Sequence, residues 1–205
     1  ILANLRRIES VGGRAVYRSV DVRDADAVAG VVNEARQSLG PVRGLIHAVG
    51  VLADRLIEDK TAEQFAEVYA TKVQGLKALL QAVERDELRI LILFSSSTAR
   101  YGRKGQSDYA AANEVLNKIA QQQARRRPDC RVLSVNWGPW DGGMVTPALK
   151  QLFASEGVAV IPLQAGADYL MQEIAGNGPV ELVITGAVPA AAGTETVQTT
   201  VNDST

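Results

Sequence analysis

Apolar positions along the chain follow two rhythms: short unbroken runs, and stripes spaced three to four residues apart. Leu2, Leu5 and Ile8 form the first stripe and predict a helix ending at Gly12-Gly13. Ala15–Val20 follows as an expected strand, closed by Asp21-Val22-Arg23-Asp24. Residues 26–38 predict a helix on Val28, Val31, Val32 and Ala35, punctuated by Gly40-Pro41. Leu45–Val49 is a short run of buried type, ended by Gly50. Thr61 with Gln64 makes a capping box for a long helix to about Val83. Leu88–Phe94 is a continuous apolar strand, broken by Ser95-Ser96-Ser97. After a loop with Gly102 and Gly105, Ser107 is expected to cap a helix running to Arg127, which Pro128 stops. Val132–Val135 predicts another strand, and Thr146-Pro147 opens a helix in cap-then-proline order. Residues 164–175 predict a last helix, and Val180–Ile184 a last strand.

Strands that alternate with helices and read as unbroken apolar runs predict a doubly wound parallel α/β sheet, covered on both faces. It is expected to occupy residues 1–185. Residues 186–205 turn Ala-rich and then Thr-rich without apolar period, the pattern of a flexible linker. No internal repeat is present.

Composition narrows the function classes. The 205 residues carry 22 basic and 23 acidic side chains, for a net charge of −1 with the signs interspersed. Neither a nucleic acid nor an anionic membrane is an expected partner. No apolar run approaches the roughly 20 residues that span a bilayer. Cys130 is the only cysteine, so no disulfide can form within the chain, and a reducing, cytoplasmic compartment is expected. His47 is the only histidine, which argues against zinc clusters and two-histidine metal sites; no metal is expected. Residue 1 is isoleucine with a helical pattern already under way, so the chain is expected to belong to a longer polypeptide.

In open α/β sheets ligands sit beyond the carboxyl ends of the strands. Those positions hold Asp21, Gly50, Ser95–Ser97 and Asn136-Trp137-Gly138-Pro139-Trp140. Three polar residues within apolar patterns join them. Lys72 falls on the stripe of Phe65, Tyr69, Leu76, Leu79 and Val83, where a lysine either snorkels to the helix edge or points into a site. Tyr109 and Asn113 lie four residues apart on one helical face that continues to Leu116 and Ala120. A buried tyrosine with a satisfied hydroxyl fits the same pattern. Ser96, at the end of an apolar strand, fits a loop cap as well as a site.

Taken together the spacing is more specific. Lys72 precedes Ser96 by 24 residues, Ser96 precedes Tyr109 by 13, and Asn113 follows Tyr109 by four. With Leu93-Phe94-Ser95-Ser96, Gly105-Gln106-Ser107-Asp108-Tyr109-Ala110-Ala111-Ala112-Asn113 and Thr71-Lys72-Val73-Gln74-Gly75, the chain resembles the short-chain dehydrogenase/reductases. Within them it is similar to the ketoreductase domains of polyketide synthases, in which lysine and asparagine exchange places relative to the wider family. Trp140-Asp141-Gly142-Gly143-Met144-Val145 adds a similarity to synthases of polyunsaturated fatty acids.

The resemblance implies a Rossmann-like fold and reduction of the β-carbonyl of an acyl chain by NADPH. The substrate would be tethered to the phosphopantetheine of an acyl carrier protein, and other domains of the same megasynthase would be partners. It implies Ser96 as hydrogen-bond donor to the carbonyl, Tyr109 as general acid, Lys72 lowering the tyrosine's pKa, and Asn113 holding a water or orienting Lys72. Asp21 and Val22 would flank the adenine. His47, Ala48 and Gly50 would form the turn past the ribose, His47 without a role as base, and Asn136, Gly138 and Pro139 would lie along the nicotinamide. Residues 141–156 resemble a lid, with Gly142-Gly143 as hinges. Leu52-Ala53-Asp54 is similar to the Leu-Asp-Asp motif of B-type domains, although its middle residue differs, Tyr101 stands where A-type domains carry tryptophan, and Lys104 replaces a proline frequent in B-type domains.

The glycine-rich phosphate-binding turn and the first strand-helix-strand of such a fold are expected upstream of Ile1, leaving residues 15–20 and 43–49 as unpaired edges. Two other readings stand beside this one: a catalytically silent Rossmann-like module within a synthase, and a free-standing reductase of small carbonyls.

Overall fold

The computed structural model describes residues 1–143, 145–186 and 198–200. Four parallel strands form the body of the sheet: β1 (Gly44–His47), β2 (Ile90–Ser96), β3 (Arg131–Trp137) and β4 (Glu181–Thr185), hydrogen-bonded in that order. Their register sets Ser95 beside Asn136 and Ser96 beside Trp137, so both apolar runs finish at one edge.

Side chains alternate across each strand and feed two separate cores. Leu91, Leu93 and Val132 join Val73, Leu76 and Leu116 on one face. Ile92, Leu133, Val135 and Leu182 join Ile161 and Trp137 on the other. The first face is covered by α2 (Ala25–Leu39), α3 (Ala62–Tyr69), α4 (Gly75–Ala82) and α6 (Ser107–Arg126). The second carries α8 (Leu163–Ala175), through Tyr169, Leu170 and Ile174. This is the doubly wound, Rossmann-like arrangement that the alternating pattern predicts. The remaining helices are α1 (Leu2–Ser10), the short α5 (Thr98–Tyr101) and α7 (Pro147–Ser155).

Local chemistry explains most boundaries. The Thr61 hydroxyl accepts from the Gln64 amide while Gln64 reaches back to the Thr61 amide, closing the capping box that opens α3. Thr146 caps α7 on the Leu149 amide, with Pro147 in the first turn. Between α3 and α4 the helix does not run smoothly as expected. Residues Ala70–Gln74 form a π-turn, in which the Gly75 amide bonds the Ala70 carbonyl five residues back. Gly75 also permits close packing here, since a β-carbon would stand 2.8 Å from Val22 Cγ2.

Two expectations are corrected. Residues 15–20 form no strand: Val16 and Tyr17 are both about half exposed, and among the described residues no strand lies alongside to take their amides and carbonyls. The outer edge of β1 is likewise unpaired among the described residues, with Ile46 exposed. Ser107 is the first residue of α6 rather than its cap, and no side chain caps that helix. Within the expected linker, Gln198–Thr200 pair antiparallel with β4 as β5. The other linker residues beyond Gly186, and Met144 of the expected lid, lie outside the described residues.

Candidate active site

Two adjoining cavities of about 410 and 620 Å³ open at the carboxyl edge of the sheet. Ser96, Tyr109 and Gly138 line both. Ser96 is the last residue of β2, Tyr109 sits in the first turn of α6, and Gly138 follows β3. Lys72 lines the first cavity from the π-turn. Residues 72, 96 and 109 therefore meet in space, as their spacing led us to expect.

Lys72 is only 3% exposed. Its Nζ donates to the Phe94 carbonyl at 3.1 Å and lies over the Tyr109 ring, 5.2 Å from the centroid. Burial lowers its pKa from 10.5 to about 8, because the charged form loses hydration. The Tyr109 phenol is pushed up, first by burial and then by the Asp54 carboxylate, while the Asn113 amide pulls it the other way. No hydrogen bond joins Lys72 Nζ to Tyr109, and burial is the largest influence on the phenol.

Ser96 Oγ accepts from the Thr98 amide at 3.2 Å, which leaves its own hydrogen available for a ligand. Asn113 Nδ2 donates to the Tyr109 carbonyl at 2.7 Å, one turn back, and its Oδ1 is buried without a partner.

The remaining predicted residues divide. Ala48 and Gly50 line the first cavity, and a β-carbon on Gly50 would stand 3.0 Å from Lys72 Cε. Pro139 lines the second cavity. His47 lies beneath the first, fully buried, its Nε2 donating to the Lys72 carbonyl at 2.9 Å. Burial, and then the Lys72 charge, hold its pKa down to about 4, so it is neutral and positions the π-turn.

Asn136, Asp21 and Val22 line neither cavity. The Asn136 side chain faces α6, because residues of a strand point alternately to opposite faces and its neighbour Trp137 takes the cavity side. Asn136 Oδ1 accepts from Ser95 Oγ and Asn117 Nδ2, each at 2.9 Å, and its Nδ2 donates to Glu181 and the Leu182 carbonyl. Asp21 is exposed and held by Arg23, whose guanidinium and amide bring the carboxyl pKa down to about 2. Val22 packs on Gly75 instead.

Sequence reasoning placed Trp137 and Trp140 at the ligand edge but missed that, with Phe94, they form the cavity's aromatic wall. Trp137 stands edge-on to Trp140 with centroids 4.6 Å apart, and Phe94 lies 5.5 Å from Trp137. The alternation of Val135 and Trp137 along β3 was the available signal.

A parallel sheet of this order, with serine, tyrosine and lysine gathered beyond its carboxyl edge, is the arrangement of the short-chain dehydrogenase/reductase fold. A family model described as the KR domain matches residues 2–142, and the chain belongs to that ketoreductase family. It is 46% identical over 185 residues to one subunit of the polyunsaturated fatty acid synthase of Thraustochytrium sp., covering 90% of this chain and 6% of that protein. The ketoreductase from the first module of phoslactomycin biosynthesis in Streptomyces sp. HK803 superposes with a TM-score of 0.81 at 33% identity. That match covers 90% of this chain and 42% of the other. A ketoreductase domain from the bacillaene assembly line gives 0.80 at 32% identity, covering 90% and 46%. The chain thus spans a small part of the synthase and less than half of either solved ketoreductase. No described helix is long and apolar enough to cross a membrane, and no group of three or more metal-ligating side chains occurs among the described residues.

Proposed function

We propose that this chain reduces the β-keto group of a 3-ketoacyl thioester carried on an acyl carrier protein, with NADPH, to the 3-hydroxyacyl thioester. The observation that carries the reading is the convergence of Ser96, Tyr109 and Lys72 on one cavity lip. The first cavity suits a nicotinamide ring. Its walls are mostly apolar, and Lys72, Ser95, Ser96 and Tyr109 join the two indoles as its hydrogen-bonding side chains among the described residues. Ala48, Gly50 and Trp137 would hold the ring's flank. When bound, the cofactor supplies the hydride.

The protein's own residues handle the charge. Negative charge grows on the carbonyl oxygen as it is reduced, and donors aimed there in advance stabilise it. The free hydrogen of Ser96 Oγ is one such donor. Tyr109 is the other and gives up its proton. A phenol whose pKa is raised by burial stays protonated at neutral pH, the form an acid needs. As the proton leaves, the ammonium of Lys72, over the ring at 5.2 Å from its centroid and held by the Phe94 carbonyl, offsets the growing negative charge. Asn113 fixes the first turn of α6 and offers its unpaired Oδ1 to a water.

The relatives' names support a synthase setting; other catalytic domains and a carrier protein would be its partners there. The test is NADPH consumption by the full-length protein on a 3-ketoacyl thioester, beside its Tyr109→Phe variant. Turnover in the wild type that disappears in a folded variant supports the reading. Absence of turnover in a folded wild type removes it.

A further inference from the structure

Away from the cavities, a lysine and an aspartate form a fully internal ion pair. Lys60 Nζ lies 2.6 Å from Asp108 Oδ2, with side chains 4% and 1% exposed. The same ammonium donates to the Ala53 carbonyl at 2.7 Å, and Asp108 Oδ1 accepts from the Tyr109 amide at 2.8 Å. One buried pair therefore joins the loop before α3 to the turn of α6 that carries Tyr109. Next to Ala53, Asp54 accepts from Gln106 Nε2 at 2.9 Å. Gln106 Oε1 accepts from the Thr98 hydroxyl, whose amide donates to Ser96 Oγ. Both ends of this circuit finish on the groups that would face the substrate.

Resting on the reductase reading above, we propose that Lys60 and Asp108 are positioning residues. They set Tyr109 against Asp54 across the mouth of the second cavity, which both line. Stability alone does not account for such a pair, because buried ions lose hydration and apolar side chains of similar size replace them without loss in many proteins. What apolar side chains cannot reproduce is the three-way hold on Ala53, Asp108 and the Tyr109 amide. Displacing an acid by as little as about 1 Å costs on the order of 100-fold in rate, so a hold of this kind matters to turnover.

The test is the double variant Lys60→Met/Asp108→Leu in the full-length protein, read in two ways. It leaves no unpaired charge inside, so it should melt within about 4 °C of the wild type. Amide exchange at Ala53, Asp54 and Tyr109 should rise by about tenfold or more, with the interior of α6 unchanged. On a 3-ketoacyl thioester, kcat should fall by about tenfold or more while KM for NADPH moves by less than about threefold. Lys60→Gln, which keeps N–H donors but is one atom shorter and carries no charge, should fall between. A purely structural pair predicts recovery of kcat along with the melting temperature, and that result overturns the proposal. Unchanged exchange at residues 53, 54 and 109 overturns it too. Failure of the wild type to consume NADPH would count against the reductase reading, and the exchange measurement, which needs no substrate, tells the two failures apart.

Discussion

The ammonium of Lys72 stands 5.2 Å from the centre of the Tyr109 ring, and its hydrogen bond goes to the Phe94 carbonyl. Replacing Tyr109 by phenylalanine keeps that ring and removes only the hydroxyl. Turnover in Tyr109→Phe should fall by roughly 100-fold or more, the contribution of a positioned general acid. The melting temperature should stay within about 2 °C of the wild type. Steady-state kinetics beside thermal unfolding read both.

Lys72 also taxes the fold. Its pKa is about 8 in the folded chain against an ordinary 10.5, so between those pH values the unfolded state binds more protons and stability rises with pH. Below pH 8 the full penalty applies. Lys72→Met should therefore stabilise the protein at pH 7 by up to about 3 kcal/mol while abolishing turnover. Denaturant titrations at pH 7 and 9.5 should show that gain shrinking at the higher pH. A gain independent of pH would show that burial of the charge is not its source.

His47 gives a penalty on the acid side. Its folded pKa near 4 lies below the ordinary 6.5, so the unfolded state binds more protons between them, and stability is lost as pH falls through that window. His47→Gln should flatten the acid limb of the stability profile from pH 6.5 to 4. Unfolding followed at half-unit pH steps for both proteins checks this.

Asn136 separates structural from ligand contacts. Removing its amide leaves one Asn117 N–H without its acceptor and takes a partner from Ser95, Glu181 and the Leu182 carbonyl, although Ser95 keeps the Asn113 carbonyl and Glu181 keeps Arg100. Asn136→Ala should lose on the order of 2 kcal/mol of stability. Because the side chain faces α6, KM for NADPH should change by less than about threefold. A tenfold rise in KM with unchanged stability would restore the nicotinamide contact implied by resemblance.

Much of this was legible in the linear pattern. Leu91, Ile92 and Leu93 announce a strand buried on both faces, and they feed both cores. Lys72, Ser96 and Tyr109 were found because each interrupts an apolar period. Residues 15–20 carry the strand pattern equally well, yet pairing is a property of neighbours that periodicity does not contain. The placement of Asn136 was beyond the linear pattern for a related reason: it stands at the carboxyl end of β3, but its side chain faces α6, one residue from Trp137. Lys60 and Asp108 are 48 positions apart, and each looks like an ordinary surface charge until the fold buries them together.

The π-turn at Ala70–Gln74 has one more consequence. It inserts an extra residue between two helical halves and so puts them out of phase, the first packed on α6 and the second on α2. Lys72 sits at the phase slip, locked from below by His47. Shortening this segment by a single residue would restore a regular spiral, and with it swing one half by roughly a quarter-turn. The helix is therefore a joint whose length is specified to the residue, and it should accept substitutions far more readily than deletions.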